Sequence, residues 1–190
     1  WVFGSESVPQ TSWKVLLIHV IPLFIGYGIC TPVSVLIARH YRGWFRKRNC
    51  DWYQWHLNLQ LISHVFTAIG IIIPFIFFVD LDDFYHFRHL HGILGIILAV
   101  GMLVIQPVLG TIDERYPEED ERIKLQRHSM IGRVLFLGSF VIMYLGILLL
   151  RSPNTIFYSP IAYEWFSLFE TFFIIWAFVL YFFFLFKEYR

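Results

Sequence analysis

Four histidines of this 190-residue chain combine a residue type and a spacing that suit redox chemistry. Each stands near one end of a separate apolar stretch: His19, His56, His91 and His128. Gly95 lies four residues after His91 and Gly132 four after His128, on the same face of a helix in each case. An imidazole beside a missing side chain leaves a slot for a flat group, and neutral imidazole is a common axial ligand of haem iron. The four histidines therefore predict two bis-histidine haems.

The composition places these histidines in a membrane protein. The chain is 57% hydrophobic, 20% aromatic and 15% charged, whereas soluble domains carry about 25% charged residues. A net charge of +1 gives no indication of nucleic-acid binding. The two cysteines, Cys30 and Cys50, form no Cys-x-x-Cys-His attachment motif, so we expect any haem b to be held non-covalently.

Five apolar stretches are long enough to cross a bilayer, which takes about 20 helical residues. They cover residues 13–38, 54–79, 89–110, 128–150 and 160–186. The predicted fold is an all-α membrane protein, a five-helix transmembrane bundle with a four-helix di-haem core. Its predicted parts are an extramembrane linker (1–12), the core (13–150), and a fifth transmembrane helix with a cytoplasmic tail (151–190). The fifth span carries no histidine, and we expect it at the periphery of the haem core or in an oligomer contact.

The basic residues of the loops predict the orientation of the chain. Lys and Arg concentrate in residues 39–48, 115–127 and 187–190, and such loops face the cytoplasm. The N-terminus is then outside or lumenal and the C-terminus cytoplasmic. At this orientation the depths of the histidines pair His19 with His91 and His56 with His128.

Further polar residues lie within the apolar spans, where they are costly and usually functional. Gln60 and Gln106 are expected either to bond near a haem or to tie helices together. Arg133 is expected to bind a haem propionate, the alternative being a side chain that reaches the inner headgroups. His64 is an alternative ligand to His56, but no second histidine lies at its depth.

The order and spacing of several motifs resemble one family. The matching residues are His19, Pro32, Ala38, Arg39, Trp52, His56, Leu59, Gln60, His91, Leu94, Gly95, Gln106, Pro107, His128, Gly132 and Arg133. Residues 13–150 resemble the cytochrome b561 core, especially the form linked to a DOMON domain in ferric-chelate-reductase-like proteins. The resemblance implies two b-type haems and transmembrane electron transfer.

The expected function follows from the haem sites and from the charge of the loops. Arg39, Arg42 and Arg46 form a basic patch that would attract an anionic, ascorbate-like reductant on the cytoplasmic side. The expected acceptor is outside, a ferric chelate or a monodehydroascorbate-like species, which makes the protein a transmembrane oxidoreductase. The alternative is a non-enzymatic haem-containing structural subunit of a larger membrane complex. Expected partners are the lipid bilayer, the reductant, and an upstream DOMON-type domain or other membrane subunits, with no nucleic acid.

Overall fold

The computed structural model describes residues 11–78, 90–115, 121–151, 168, 170–180 and 182, and these are helical except for the turn at 48–51. The helices before the second span are α1 (Thr11–Leu23), π1 (Phe24–Cys30), α2 (Thr31–Leu36), π2 (Ile37–Tyr41) and α3 (Arg42–Lys47). Those that follow are α4 (Trp52–Phe78), α5 (Leu90–Val100), π3 (Gly101–Ile105), α6 (Gln106–Arg115) and α7 (Glu121–Arg151). A shorter apolar helix, α8, covers Glu170–Leu180.

Four helical segments are long and apolar enough to cross a membrane. They are Leu16–Lys47, Trp52–Ile73, Leu90–Thr111 and Arg127–Leu149, called the first to fourth spans below. Each exposes large aliphatic side chains, for example Ile62, Val104 and Val134, as helices that face lipid do. The predicted all-α membrane bundle with a four-helix core is confirmed.

The first span continues beyond its predicted end at residue 38. The chain stays helical to Lys47 and turns at Asn49, which has a positive φ of 52°. Asparagine tolerates this left-handed conformation, which commonly ends helices. Asp51 then begins α4, because its carboxylate accepts hydrogen bonds from the backbone N–H groups of Tyr53 (2.9 Å) and Gln54 (3.3 Å). Most of the predicted basic loop is therefore a helical extension of the first span.

Two of the wide π-helical segments lie just before a proline. In π1 the N–H of Thr31 bonds to the carbonyl of Gly26, one residue before Pro32. In π3 the N–H of Gln106 bonds to the carbonyl of Gly101, one residue before Pro107. Proline has no N–H and its ring clashes with the carbonyl four residues earlier, and a local change of helical pitch relieves both problems. The first and third spans thus share a π-helical segment that ends just before a proline.

Small residues and hydroxyls join the first span to the second. Thr31 and Ser63 share a hydrogen bond of 2.8 Å, and the Ser63 hydroxyl also bonds to the carbonyl of Gly26 at 3.0 Å. A Cβ at Gly26 would lie 3.0 Å from the Ser63 carbonyl oxygen, so the backbones meet closely because Gly26 has no side chain. Close contact through small residues and interhelical hydrogen bonds is the usual basis of helix association in membranes.

An apolar layer fills the middle of the bundle. Tyr27 of the first span packs with Leu98 and Met102 of the third span, and all three side chains are at most 6% exposed. The partly buried side chains around them are Leu23, Leu135, Ile142 and Met143. This layer joins the two halves of the bundle.

Helix α8 packs against the first and fourth spans. Its Trp176 stacks on Phe140 at 5.0 Å and contacts Phe24 at 5.4 Å between ring centroids. The hydroxyl of Tyr144 donates to Glu170 at 3.2 Å, which gives this carboxylate a polar partner among apolar surroundings. The opposite face of α8, including Ile175 and Phe178, is exposed.

Candidate functional site

The four predicted ligand histidines lie in two pairs at opposite ends of the bundle. One pair, here called the basic-end site, contains His56 and His128 and lies beside the helical extension that carries Arg39, Arg42 and Arg46. The other, the far-end site, contains His19 and His91. Along α4, His56 and the residue that contacts His19, Gly70, are 14 positions apart, or about 21 Å at 1.5 Å per residue.

At the far-end site the imidazoles of His19 and His91 lie side by side, with ring centroids 6.3 Å apart and ring planes at 79°. His19 Nδ1 lies 2.6 Å from the carbonyl oxygen of Gly70, and His91 Nδ1 lies 2.9 Å from that of Ile142. A carbonyl oxygen can only accept a hydrogen bond. Nδ1 is therefore the protonated nitrogen in both rings, and Nε2 keeps the lone pair with which imidazole binds a metal.

At the basic-end site the rings of His56 and His128 have centroids 6.4 Å apart and planes at 76°. His56 Nδ1 lies 2.7 Å from the hydroxyl oxygen of Ser34 and 3.2 Å from the Ser34 carbonyl oxygen. The amide Nε2 of Gln60 also donates to the Ser34 hydroxyl, at 3.1 Å. On the other side, Gln106 is 8% exposed and donates to the carbonyl of His128 at 3.2 Å.

Both centroid distances suit an iron atom between two imidazoles. A metal–imidazole bond is about 2 Å and the nitrogen lies about 1.1 Å from the ring centre, so two collinear bonds give about 6.3 Å between centroids. Within the described residues, no group of three or more His, Cys, Asp or Glu side chains is placed to hold a metal ion. Each pair therefore suits a metal whose other ligands come with it, as the four pyrrole nitrogens of haem do. The residues fit the expected cofactor.

The two sites are built from an internal repeat of the chain. His19 and His91, and likewise His56 and His128, are 72 residues apart in sequence (91 − 19 and 128 − 56). The hydrogen bonds of His19 to Gly70 and of His91 to Ile142 each span 51 residues. The first two spans and the last two are thus equivalent hairpins, and each gives one histidine to each site. This repeat was not among the predictions, although the equal spacing of the histidines is a visible signal of it.

The two predicted glycines, Gly95 and Gly132, differ in what surrounds them. A Cβ at Gly95 would meet only a methyl of Ile142, at 4.0 Å, so the space beside Gly95 is open. A Cβ at Gly132 would lie 2.9 Å from Gln106 Nε2, so this glycine makes room for that amide. The glycine on which a histidine ring rests is Gly146, where a Cβ would be 2.8 Å from His91 Cε1. Gly146, Gly70 and Ser34 were not among the predicted site residues.

The remaining candidate residues lie around the two sites. Arg39, Arg42 and Arg46 follow each other at helical spacing and are all exposed. The Arg42 guanidinium lies 4.3 Å from the centre of the Trp52 ring and its Nε donates to the carbonyl of Ala38. Arg133 is exposed, about 140° around α7 from His128 at 100° per residue. A propionate contact and a side chain that reaches the headgroups both stay predictions for Arg133.

His64 lies in the second span and does not join either histidine pair. Its Nδ1 contacts the carbonyl of Gln60, one turn earlier on the same helix. Its Nε2 is buried and has no hydrogen-bond partner within the described part of the chain. The pairing of His56 with His128 agrees with the preference for His56 over His64 as the ligand.

Comparison with known proteins gives a consistent result. The model of the eukaryotic cytochrome b561 family matches residues 18–151. Ferric-chelate reductase 1 of Mus musculus is 26% identical over 152 residues, covering 76% of this chain and 24% of the relative. A cytochrome b561, DM13 and DOMON domain-containing protein of Arabidopsis thaliana is 24% identical over 157 residues, covering 80% of this chain and 16% of the relative. The chain thus spans a quarter or less of the length of these relatives, and no solved structure matches it.

Proposed function

The chain belongs to the eukaryotic cytochrome b561 family, and from this we propose that it conducts electrons across a membrane through two non-covalent b-type haems. Membership supports haem b binding and transmembrane electron transfer in general terms. The observation that carries the more specific proposal is the presence of two histidine pairs, at 6.3 Å and 6.4 Å between ring centroids, at opposite ends of one bundle. When bound, the haems supply one-electron Fe(III)/Fe(II) couples on either side of the apolar layer.

The protein residues would bind and orient the haems and keep water away from the path between them. Backbone carbonyls and the Ser34 hydroxyl fix the Nδ1–H form of His19, His91 and His56. Each pair, His19 with His91 and His56 with His128, would hold one haem iron through two imidazoles, and this would leave no position for oxygen, so the sites would suit electron transfer rather than oxygen activation. The layer around Tyr27, Leu98 and Met102 fills the space between the sites with apolar atoms.

We place the basic end on the cytoplasmic side, because basic residues near the ends of spans favour that side. An anionic reductant such as ascorbate would be attracted to the exposed Arg39, Arg42 and Arg46. The acceptor would be outside. A ferric chelate is the first candidate, because the Mus musculus relative carries the name ferric-chelate reductase 1, and a monodehydroascorbate-like species is the second.

The decisive experiment combines pigment content with kinetics. We expect purified protein to carry two haems by the pyridine haemochrome assay and to show b-type reduced-minus-oxidised spectra. In vesicles, stopped-flow mixing with ascorbate on the basic side should reduce both haems at least as fast as electrons are passed on to the acceptor. A ferric chelate added on the other side should then reoxidise them. Protein without haem would contradict the proposal. Bound haem that ascorbate reduces only slowly would favour the alternative of a structural haem subunit in a larger complex.

A single-site control connects the result to the histidine pairs. His91→Ala should remove one haem and leave the other, since the pairs lie about 21 Å apart. His64→Ala should keep both haems, because His64 lies outside both pairs. Loss of a haem in His64→Ala together with full content in His91→Ala would overturn the ligand assignment.

A further inference from the structure

We propose that Ser34 is a positioning residue that lowers the redox potential of the basic-end haem through its hydrogen bond to His56, and that Gln60 opposes this effect. The inference rests on the proposed function, since it concerns the haem that His56 and His128 would hold. It assigns a role to two side chains of the first and second spans that do not touch the iron.

The hydroxyl of Ser34 has its hydrogen-bonding capacity fully used. Ser34 is 0% exposed, so water does not compete for its hydroxyl. The hydroxyl donates to the carbonyl of His56 at 3.1 Å. A hydroxyl has one proton and two lone pairs, so its contacts with His56 Nδ1 (2.7 Å) and Gln60 Nε2 (3.1 Å) must both be accepted bonds. His56 is thereby fixed with its proton on Nδ1 and its lone pair on Nε2.

The internal repeat shows that this contact is particular to one ligand. The position equivalent to Ser34, 72 residues later, is Gln106, and the position equivalent to Gln60 is Gly132. In the second hairpin the amide of Gln106 occupies the space that Gly132 leaves, and it bonds to the His128 carbonyl rather than accepting from the ring. The far-end ligands, in contrast, are held by two equivalent backbone carbonyls. The side-chain acceptor on His56 is therefore a departure from the symmetry of the bundle.

The sign of the effect follows from how an acceptor changes a ligand. A hydrogen bond accepted from Nδ1–H makes the imidazole more basic at Nε2. A more basic ligand stabilises Fe(III) relative to Fe(II), which lowers the potential. Gln60 donates into the same Ser34 oxygen and draws electron density from it, so it weakens the acceptor. Removing Ser34 and removing Gln60 should therefore shift the potential in opposite directions.

The test is a redox titration of the full-length protein in nanodiscs, with the two haems fitted as two components. In Ser34→Ala, His56 keeps only the longer contact to the residue-34 carbonyl, 3.2 Å away. We expect one component to rise, with a roughly threefold higher ferrous-to-ferric ratio at fixed ambient potential, as the loss of one ordinary hydrogen bond gives. Gln60→Leu should lower the same component, and the other component should stay in place in both variants.

Ser139→Ala is the matched control. Ser139 is also a serine with 0% exposure, but its hydroxyl bonds to the Phe136 carbonyl of its own helix. It should leave both components unchanged. The inference is overturned if Ser34→Ala shifts neither component or both equally, or if Ser139→Ala shifts the potential as much. Should Ser34→Ala fail to hold haem, the titration of Gln60→Leu decides, since an unchanged or raised potential in that variant also overturns it.

A second measurement needs no haem and so separates this inference from the proposed function. In haem-free protein labelled with ¹⁵N-histidine, the His56 ring should show the Nδ1–H form, and Ser34→Ala should mix in the other tautomer. A protein that never binds haem but shows this change would refute the proposed function and the effect on the potential, and would preserve only the hydrogen bond by which Ser34 fixes the His56 tautomer. Two bound haems together with a His56 tautomer that Ser34→Ala leaves unchanged would preserve the proposed function and refute this inference.

Discussion

Substituting Gly146 by alanine should deplete the far-end haem and leave the basic-end haem in place. The added Cβ would lie 2.8 Å from His91 Cε1, 3.2 Å from its Nδ1 and 3.5 Å from its Nε2. An ordinary contact between carbon atoms is about 3.5–4.0 Å, so the ring must move by roughly 0.7 Å or more. His91 cannot move freely, because its Nδ1 is hydrogen-bonded at 2.9 Å to the carbonyl oxygen of Ile142, which lies on α7 with Gly146.

The size of the effect follows from this overlap. Metal–ligand distances tolerate about 0.2 Å, which is smaller than the required displacement. Overpacking of this kind costs about 1–3 kcal/mol, which corresponds to roughly a 5- to 150-fold loss of far-end haem affinity. Alanine is about 1 kcal/mol more favourable than glycine inside a helix, so the fold itself should be retained. Haem content per protein by the pyridine haemochrome assay should fall from two towards one.

Gly110→Ala provides the matched control for this prediction. Gly110 also faces a ligand histidine, but a Cβ there would be 3.7 Å from His128 Cε1, an ordinary contact. This variant should keep both haems and unfold at the same or a slightly higher temperature. Equal haem loss in both variants, or full haem content in Gly146→Ala, would show that the approach of residue 146 to His91 does not control haem binding.

Three further predictions test the surroundings of the sites. Gly95→Leu should lower far-end haem content, because its side chain would enter the open space beside Gly95; two retained haems would refute this. Arg39→Glu with Arg46→Glu should slow haem reduction by ascorbate from the basic side, and the defect should shrink as salt screens the charge; an unchanged rate at low salt would limit the patch to a role in topology. Glu170→Gln should leave haem content unchanged, since Glu170 bonds to Tyr144 rather than to a histidine; a lost haem would contradict this.

The sequence was sufficient to predict the all-α membrane fold, because runs of apolar residues of membrane-spanning length have few alternatives in a bilayer. The depths of the histidines in the membrane also predicted a specific pairing. In the structure His19 lies beside His91 and His56 beside His128, as this pairing requires. The end of the first span was predicted too early, at residue 38, because charged residues such as those at 39–48 occur both in loops and at exposed helical ends. Only the backbone turn at Asn49 settles the difference.

The groups that hold the ligands could not be predicted in the same way. Two of the groups that hydrogen-bond to the ligand histidines are backbone carbonyls, at Gly70 and Ile142. Every residue has such a carbonyl, so the residue type gives no signal. Ser34 is a small polar residue among many in the spans, and only its burial beside His56 distinguishes it. The role of Gly146 depends on how closely α7 approaches the His91 ring, which is a distance rather than a residue type.

The 72-residue repeat constrains how such a core can originate. When equivalent residues of two equivalent hairpins meet, they meet on the rotation axis that relates the hairpins. Both histidine pairs meet in this way, so both candidate iron positions lie on one axis along the membrane normal. A single hairpin with one histidine near each end would then form the whole arrangement as a homodimer. Gene duplication and fusion of a two-helix ancestor is thus a sufficient route to this core, and within one fused chain equivalent positions such as Ser34 and Gln106 are free to differ.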